Sequence, residues 1–204
     1  MRCRIDHIVI TAPDLAAGTE LVRSALGVAP EAGGEHTRMG THNCLLKLGD
    51  SLYLEVIAPN PDAPRPGRPR WFQLDEQTRP RLATWVARTT DIRSTLAAAS
   101  ENLGEIEAMS RGDLGWLITI PPDGSLPLGG AAPTLIEWKT GPHPATRLRD
   151  TGCSLVSLEV FHPQPQRISA LLKSISLEGR VSAGERPRLV AHLQTPNGPR
   201  DLAG

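Results

Sequence analysis

The sequence predicts an α+β fold built from a repeated β-α-β-β-β module. Two helix candidates begin at Asp14 and Asp91 and end at Gly27 and Gly104, and both pairs are separated by the same offset of 77 positions. Short β-branched and apolar runs precede and follow each candidate, as strands do. The 19 glycines and 19 prolines among the 204 residues mark turns between these runs. This self-similarity indicates an internal repeat.

The first predicted module covers residues 1–58. Its first strand, residues 5–11, is β-branched and apolar, and Asp14 stands where the N-cap of a helix belongs. Apolar residues at helical spacing then run to Leu26, and Gly27 is typical of a helix end. The module continues with a turn at residues 33–36 and a hairpin of strands at residues 43–48 and 52–58.

Residues 59–81 are predicted to be a linker, because prolines and arginines dominate this stretch. Trp71 and Phe72 in its middle favour docking onto the core. Two interpretations remain open for this segment. It is either a solvated connection or a lid whose arginines contact an anionic ligand.

The second predicted module covers residues 82–140, with its helix at residues 91–103. A loop rich in glycine and proline at residues 121–132 interrupts it before its last strand. The strands of this module are predicted at residues 82–89, 105–110, 114–120 and 133–139.

The remaining residues, 151–204, are predicted to form a partial third module of the same domain. Strands are expected at residues 155–161 and 188–194, with a helix at 164–177 and a tail at 201–204. This unit is expected to extend the sheet and to build no site of its own.

The composition excludes several classes of function. The 22 basic and 22 acidic residues balance, and only 3% of the residues are aromatic, so neither nucleic acid nor an anionic membrane is an expected partner. The three cysteines are widely spaced, which argues against a disulfide framework or a thiolate zinc site. No apolar run resembles a signal or a membrane span, so the protein is expected to be cytoplasmic.

Several motifs together resemble the glyoxalase-like domain group of the vicinal oxygen chelate superfamily, which includes glyoxalase I, extradiol dioxygenases and bleomycin-resistance proteins. The resemblance covers almost the whole chain and implies a curved mixed sheet with the helices on its outside. The matching segments are residues 6–10, 33–36, 40–43, 53–58, 135–138 and 158–163.

In that superfamily, a histidine on the first strand and a glutamate on the last strand of each module face the inside of the sheet and hold one divalent metal. The resemblance assigns His7 and Glu55 of the first module to this role, and Glu137 of the second. Thr84 stands where the second histidine would be, which leaves three protein ligands. Imidazole and carboxylate ligands suit zinc, manganese, iron, nickel or cobalt.

Glu55 is also the strongest candidate from the residues themselves. It stands between Tyr53 and Ile57 on its face of a strand, and a carboxylate in apolar surroundings needs a partner. Glu55 and Glu137 are the candidate catalytic residues, as metal ligands or as proton-transfer bases. For Glu137, a plain salt bridge is equally open. The candidate substrate-binding residues are His36, Asn43, Arg111, Trp116 and Trp138.

These features support two functional hypotheses. The first is a small-molecule enzyme that uses a divalent metal for lyase, isomerase or oxygenase chemistry on adjacent oxygens. The second is a binding protein of the bleomycin-resistance type that sequesters a small molecule without turning it over, which the threonine at position 84 favours. Exposed strand edges allow a homodimer in either case.

Overall fold

A computed structural model describes residues 3–204, so residues 1 and 2 of the first predicted module lie outside the described part. The α-helices are α1 (Leu15–Leu26), α2 (Ile92–Ala98) and α3 (Pro165–Ser174). The strands are β1 (Arg4–Thr11), β2 (Glu31–His36), β3 (Thr41–Gly49), β4 (Leu52–Pro59), β5 (Arg81–Arg88), β6 (Glu105–Arg111), β7 (Leu114–Ile120), β8 (Thr134–Trp138), β9 (Ser154–His162), β10 (Arg180–Ala183), β11 (Arg188–Thr195) and β12 (Gly198–Ala203).

The first eight strands form one mixed sheet in the order β2-β3-β4-β1-β5-β8-β7-β6. Strand β1 runs parallel to β4 and antiparallel to β5, and β5 runs parallel to β8. The two predicted modules therefore meet at the β1–β5 pair in the middle of the sheet. The sheet curls into a half-barrel with the helices outside, which confirms the predicted α+β fold.

The helix ends follow from local chemistry. Asp14 accepts a 2.7 Å hydrogen bond from the backbone N–H of Ala17, and Gly27 ends α1 in the left-handed region at φ 71°. Asp91 caps α2 in the same way. This second helix ends at Ala98, five residues before the predicted end. Ser and Asn side chains compete for backbone hydrogen bonds there, as Asn102 does when it accepts from the N–H of Gly104.

One predicted turn is in fact an edge strand. Residues 33–36 belong to β2, which pairs with β3 and contains a bulge between Ala32 and Glu35. Both glycines are needed here because neighbouring side chains occupy the space of a Cβ. A Cβ on Gly33 would lie 2.1 Å from Asn43 Oδ1, and one on Gly34 would lie 2.8 Å from Arg111 Cδ.

The prediction that the third unit extends the first sheet is wrong. Strands β9 to β12 form a separate four-stranded sheet in the order β10-β9-β11-β12, and the predicted tail is part of β12. Leu158 and Val160 of β9 nevertheless share one apolar core with Ile8 and Trp85 of the half-barrel. The unit therefore packs on the outer face of the half-barrel, away from its hollow.

The two faces of the half-barrel have different roles. Side chains alternate along a strand, so Ile8 and Ile10 point outward into the core shared with the helices, while His7 and Val9 point inward. Segment 59–81 docks on the inner side, where Trp71 and Phe72 are buried against the second apolar cluster. Within residues 3–204, no helix is long and apolar enough to cross a membrane.

Candidate functional site

An inner cavity lies in the hollow of the half-barrel, between the two modules. Its volume is about 20 Å³, which is room for about one water molecule. The lining residues are His7, His36, Tyr53, Glu55, Trp71, Phe72, Arg111, Trp116, Ile118, Ile136 and Trp138. A ring of aromatic side chains thus surrounds a small set of polar groups, which is typical of small-molecule sites.

The centre of the cavity is the pair formed by His7 and Glu55. The distance from His7 Nε2 to Glu55 Oε2 is 3.5 Å, and the two residues are only 4% and 6% exposed. The other ring nitrogen of His7, Nδ1, lies 2.7 Å from Asp6 Oδ1. This contact places the Nδ1 proton toward Asp6 and directs Nε2 at Glu55 and the cavity.

Asp6 reaches this site because β1 is irregular there. In the pairing of β1 with β5, Ile5 faces Ala87 and His7 faces Val86, so that Asp6 is an extra residue in a β-bulge. Adjacent side chains of a regular strand point to opposite faces of the sheet, whereas the bulge brings the side chains of Asp6 and His7 into one hydrogen-bond network. Asp6 is fully buried, and its Oδ2 atom lies 3.1 Å from Trp138 Nε1, 3.0 Å from His143 Nε2 and 3.5 Å from Arg88 Nε.

The charges of the site follow from this geometry. Burial alone would lower the pKa of His7, but hydrogen bonds and the charges of Asp6 and Glu55 raise it to about 9. Burial alone would raise the pKa of Glu55, but the His7 imidazolium and the Asn43 amide lower it to about 2. The pKa of Asp6 is likewise held well below its usual value by His143 and His7, despite burial. At neutral pH an imidazolium therefore lies between two carboxylates.

Asn43 links this pair to Arg111. Its Nδ2 donates to Glu55 Oε1 at 2.5 Å, and its Oδ1 accepts from Arg111 Nη1 at 3.0 Å and from the N–H of Gly34 at 2.9 Å. Asn43 is buried and is not part of the cavity wall. Its position fits a residue that orients Glu55 and Arg111, rather than the predicted contact with a ligand.

Four of the five predicted substrate-binding residues line the cavity: His36, Arg111, Trp116 and Trp138. His36 Nδ1 lies 3.1 Å from Thr41 Oγ1, and burial lowers the pKa of His36 to about 4, so this imidazole is neutral. Trp116 and Trp138 form adjoining walls, with ring centroids 5.3 Å apart.

Glu137 does not reach the cavity, and its predicted role is corrected. Its neighbours Ile136 and Trp138 face inward, so alternation along β8 turns Glu137 outward. There its Oε2 accepts from the N–H of Ile92 at 2.9 Å, at the start of α2, and its Oε1 forms an ion pair with Lys139. Glu137 therefore supports a helix end.

The donors present do not fit a resident divalent metal. In the first module, His7 and Glu55 face the cavity. Threonines stand at the matching positions of the second module. Thr84 matches His7 by the offset of 77. Thr134 matches Glu55, because Thr134 pairs with Val86 as Glu55 pairs with Val9. Within residues 3–204, no group of three His, Cys, Asp or Glu side chains could hold a metal ion. Protein metal sites commonly use at least three protein ligands. His36 also lines the cavity, but within residues 3–204 it does not complete such a group with His7 and Glu55.

Five further residues belong to the site although no sequence pattern predicted them there: Asp6, Tyr53, Trp71, Phe72 and His143. The Tyr53 ring stacks on His7 at 4.5 Å, which its position two residues before Glu55 indicates in retrospect. The indole N–H of Trp71 is buried and has no partner in the described part of the chain. An aromatic pair inside a proline-rich segment was the available signal for the covering role of Trp71 and Phe72.

Comparisons with known proteins agree with this fold. The sequence profile of the glyoxalase-like domain family matches residues 5–176, which confirms the resemblance described above. Among solved structures, a hypothetical protein from Staphylococcus aureus is similar with a TM-score of 0.64 and 13% identity, over 92% of this chain and 88% of that one. This likeness supports the fold alone.

Two enzymes give lower scores. A methylmalonyl-CoA epimerase in complex with methylmalonyl-CoA and NH4+ has a TM-score of 0.47 and 22% identity, over 71% of this chain and 100% of that one. A mutant of 4-hydroxymandelate synthase from Streptomyces coelicolor has a TM-score of 0.43 and 14% identity, over 99% and 62% of the two chains. No curated protein matches the sequence.

Proposed function

The chain belongs to the glyoxalase-like domain family, and we propose that it is a small-molecule enzyme that moves a proton at a carbon next to a carbonyl group. The reaction class is that of an isomerase or lyase. The single observation that carries the proposal is the buried, oppositely charged pair of His7 and Glu55 in a cavity wall. Perturbed acid and base groups in a cavity are typical of proton-transfer sites.

The two groups have complementary roles in this proposal. The Glu55 carboxylate accepts the proton, so that the C–H bond breaks and its electron pair enters an enolate. The imidazolium of His7 donates a hydrogen bond from Nε2 to the developing enolate oxygen. Return of a proton to the opposite face of the same carbon, or to the neighbouring carbon of an enediolate, completes an isomerisation.

The surroundings of the pair support both roles. Asp6 fixes the orientation of the imidazole and stabilises its positive charge, while Asn43 holds Glu55 through Oε1. The contact between His7 and Glu55, at 3.5 Å, is longer than a hydrogen bond. A substrate group that enters between them separates the charges, and the proton affinity of the buried Glu55 rises because burial then opposes its charge.

A metal-dependent form of the reaction was the expectation from sequence, and metal content tests it. We expect well under one equivalent of zinc, manganese, iron, nickel or cobalt in protein purified without an affinity tag or chelator, because no group of three potential ligands within residues 3–204 could hold a metal ion. Mass spectrometry of wild type beside His7→Ala measures this. One tightly held metal per chain that His7→Ala loses would contradict the metal-free site.

Exchange of substrate hydrogen with D₂O tests the proton transfer. Small ketones, thioesters and carboxylates with an acidic C–H, followed by proton NMR, should include compounds whose C–H signal disappears with wild-type protein. Glu55→Gln keeps the shape and removes the base, so we expect the exchange rate to fall by about 10²–10⁴-fold. Glu20→Gln, on the exposed face of α1, is the matched control and should exchange at the wild-type rate. Exchange that survives Glu55→Gln would reject Glu55 as the base.

The second candidate is a protein that binds a small molecule without turning it over. The aromatic wall of Trp71, Phe72, Trp116 and Trp138 favours it, because such walls bind flat ligands whatever the chemistry beside them. A ligand that binds wild type and Glu55→Gln equally, with no hydrogen exchange in either, would support this second function.

A further inference from the structure

Arg111 is a cation of the cavity wall that has no carboxylate partner in the described part of the chain. Among residues 3–204, its hydrogen-bond partner is Asn43, whose amide oxygen accepts from Arg111 Nη1 at 3.0 Å. Arg38 and Arg68, by contrast, both pair with Glu107 at 2.5 Å. A guanidinium held at a cavity without an anion keeps its capacity for a charge-assisted, two-pronged hydrogen bond.

The protein makes room for this side chain. The stem of Arg111 crosses β2 at Gly34, where any Cβ would lie 2.8 Å from Arg111 Cδ. The absence of a side chain at position 34 therefore leaves room for the stem of Arg111. The side-chain amide of Asn43 forms hydrogen bonds with both Arg111 and Glu55, so a single amide group separates the cation from the proposed base.

Arg111 also lines a second space. An outer cleft of about 510 Å³ lies between β2 and the β6–β7 turn, and Arg111 belongs to its wall as well as to that of the inner cavity. Leu45, Leu114 and Leu148 give the cleft an apolar part, while Glu31, Glu35 and the ion pair of Asp113 with Arg147 give its wall a charged part. Its volume is that of an ordinary small-molecule site, whereas the inner cavity holds about one water molecule.

The charges around the inner cavity leave a net positive balance. His7 and Glu55 compensate each other, and the Asp6 carboxylate faces Arg88 at 3.5 Å. His36 is neutral because burial lowers its pKa to about 4. The Arg111 guanidinium is then the uncompensated positive charge, which an anionic ligand would neutralise.

We infer that the substrate is a small monocarboxylate. Its carboxylate binds Arg111, its apolar body lies in the outer cleft, and its reacting carbon points toward Glu55. This inference rests on the proposed function and adds the class of substrate. A carboxylate matches the fork of a guanidinium, and a single amide between Arg111 and Glu55 places the reacting carbon only a few bonds from the carboxylate.

Binding of phenylacetate and of its neutral isostere phenylacetamide tests the inference, with calorimetry on the full chain. Wild type is expected to bind phenylacetate about tenfold or more tightly than the amide, since only the anion makes the charged hydrogen bonds. Arg111→Gln should remove this preference and leave the affinity for the amide unchanged. Gly34→Ala should weaken phenylacetate binding as well, because it keeps the charge but displaces the arginine stem.

Arg23→Gln is the control for the loss of one positive charge, because this arginine lies on the exposed surface of α1. It should bind phenylacetate as wild type does. Equal binding of acid and amide by wild type, or an acid preference that Arg111→Gln retains, would overturn the inference. If the inference is overturned but Glu55-dependent hydrogen exchange is observed, the proposed function stands without the carboxylate site at Arg111. If Arg111-dependent binding is found and no compound exchanges hydrogen, the proposed function fails and the carboxylate site remains.

Discussion

Replacing Asp6 with asparagine is expected to lower the free energy of unfolding by about 3–5 kcal/mol. Asp6 is fully buried and its carboxylate faces His7, His143 and Arg88. Loss of the charge leaves the Arg88 guanidinium without its carboxylate partner, and the asparagine amide can accept fewer hydrogen bonds from His7, His143 and Trp138 than the carboxylate does. Urea unfolding at pH 7, followed by tryptophan fluorescence, measures the change.

Asp113→Asn provides the comparison for this substitution. Asp113 also pairs with an arginine, Arg147, but its side chain is 68% exposed, and exposed ion pairs contribute little. The stability of Asp113→Asn should therefore stay close to that of wild type. An equally small effect of Asp6→Asn would contradict the central place of Asp6 in the buried network.

The stability of the protein is expected to decrease as the pH rises from about 6.5 to about 9. The pKa of His7 is about 9 in the folded state against 6.5 unfolded. Its contribution is therefore fully present below pH 6.5 and is lost as the pH rises through 9, a difference of about 3 kcal/mol. Urea unfolding at several pH values in this window measures the trend, and His7→Gln should flatten it. A slope that His7→Gln leaves unchanged would show that other groups cause it.

Two further groups determine what happens below this window. The pKa of Glu55 is lowered from 4.5 to about 2, so its contribution is present above pH 4.5 and is lost as the pH falls through 2. The pKa of His36 is lowered from 6.5 to about 4, so the unfolded chain takes up this proton first and stability falls as the pH falls from 6.5. Among these three groups, the combined contribution is largest near pH 6.5.

The sequence predicts the modules well because their signals are local. Capping by Asp14, the left-handed glycine at position 27 and the β-branched, apolar run of β1 each depend on residues a few positions apart. Side chains alternate between the two faces of a strand, so the inward direction of His7 and Glu55 follows once both strands belong to one sheet. These local features are sufficient to predict the family and the pair of His7 and Glu55 in the site.

The rest of the site depends on long-range pairing. A single bulge brings Asp6 beside His7, and the register of β8 turns Glu137 away from the cavity; neither is visible in a local pattern. Likewise, the docking of Trp71 depends on the surface offered by the finished half-barrel. The separate sheet of β9 to β12 is set by core packing, since a strand pattern alone does not say which sheet it joins.

The unequal halves of the half-barrel have a consequence for engineering. The first module carries the charged pair, while the second, with Thr84 and Thr134 at the matching positions, contributes Ile118 and Ile136 to the wall. Neither isoleucine side chain can donate or accept a hydrogen bond. In the proposed enzyme, substitutions at these two positions can retune which ligand shapes are accepted while the reactive groups stay in place. Reactivity and selectivity are thus separable on this scaffold, and libraries built at Ile118 and Ile136 are the natural starting point for redirecting it.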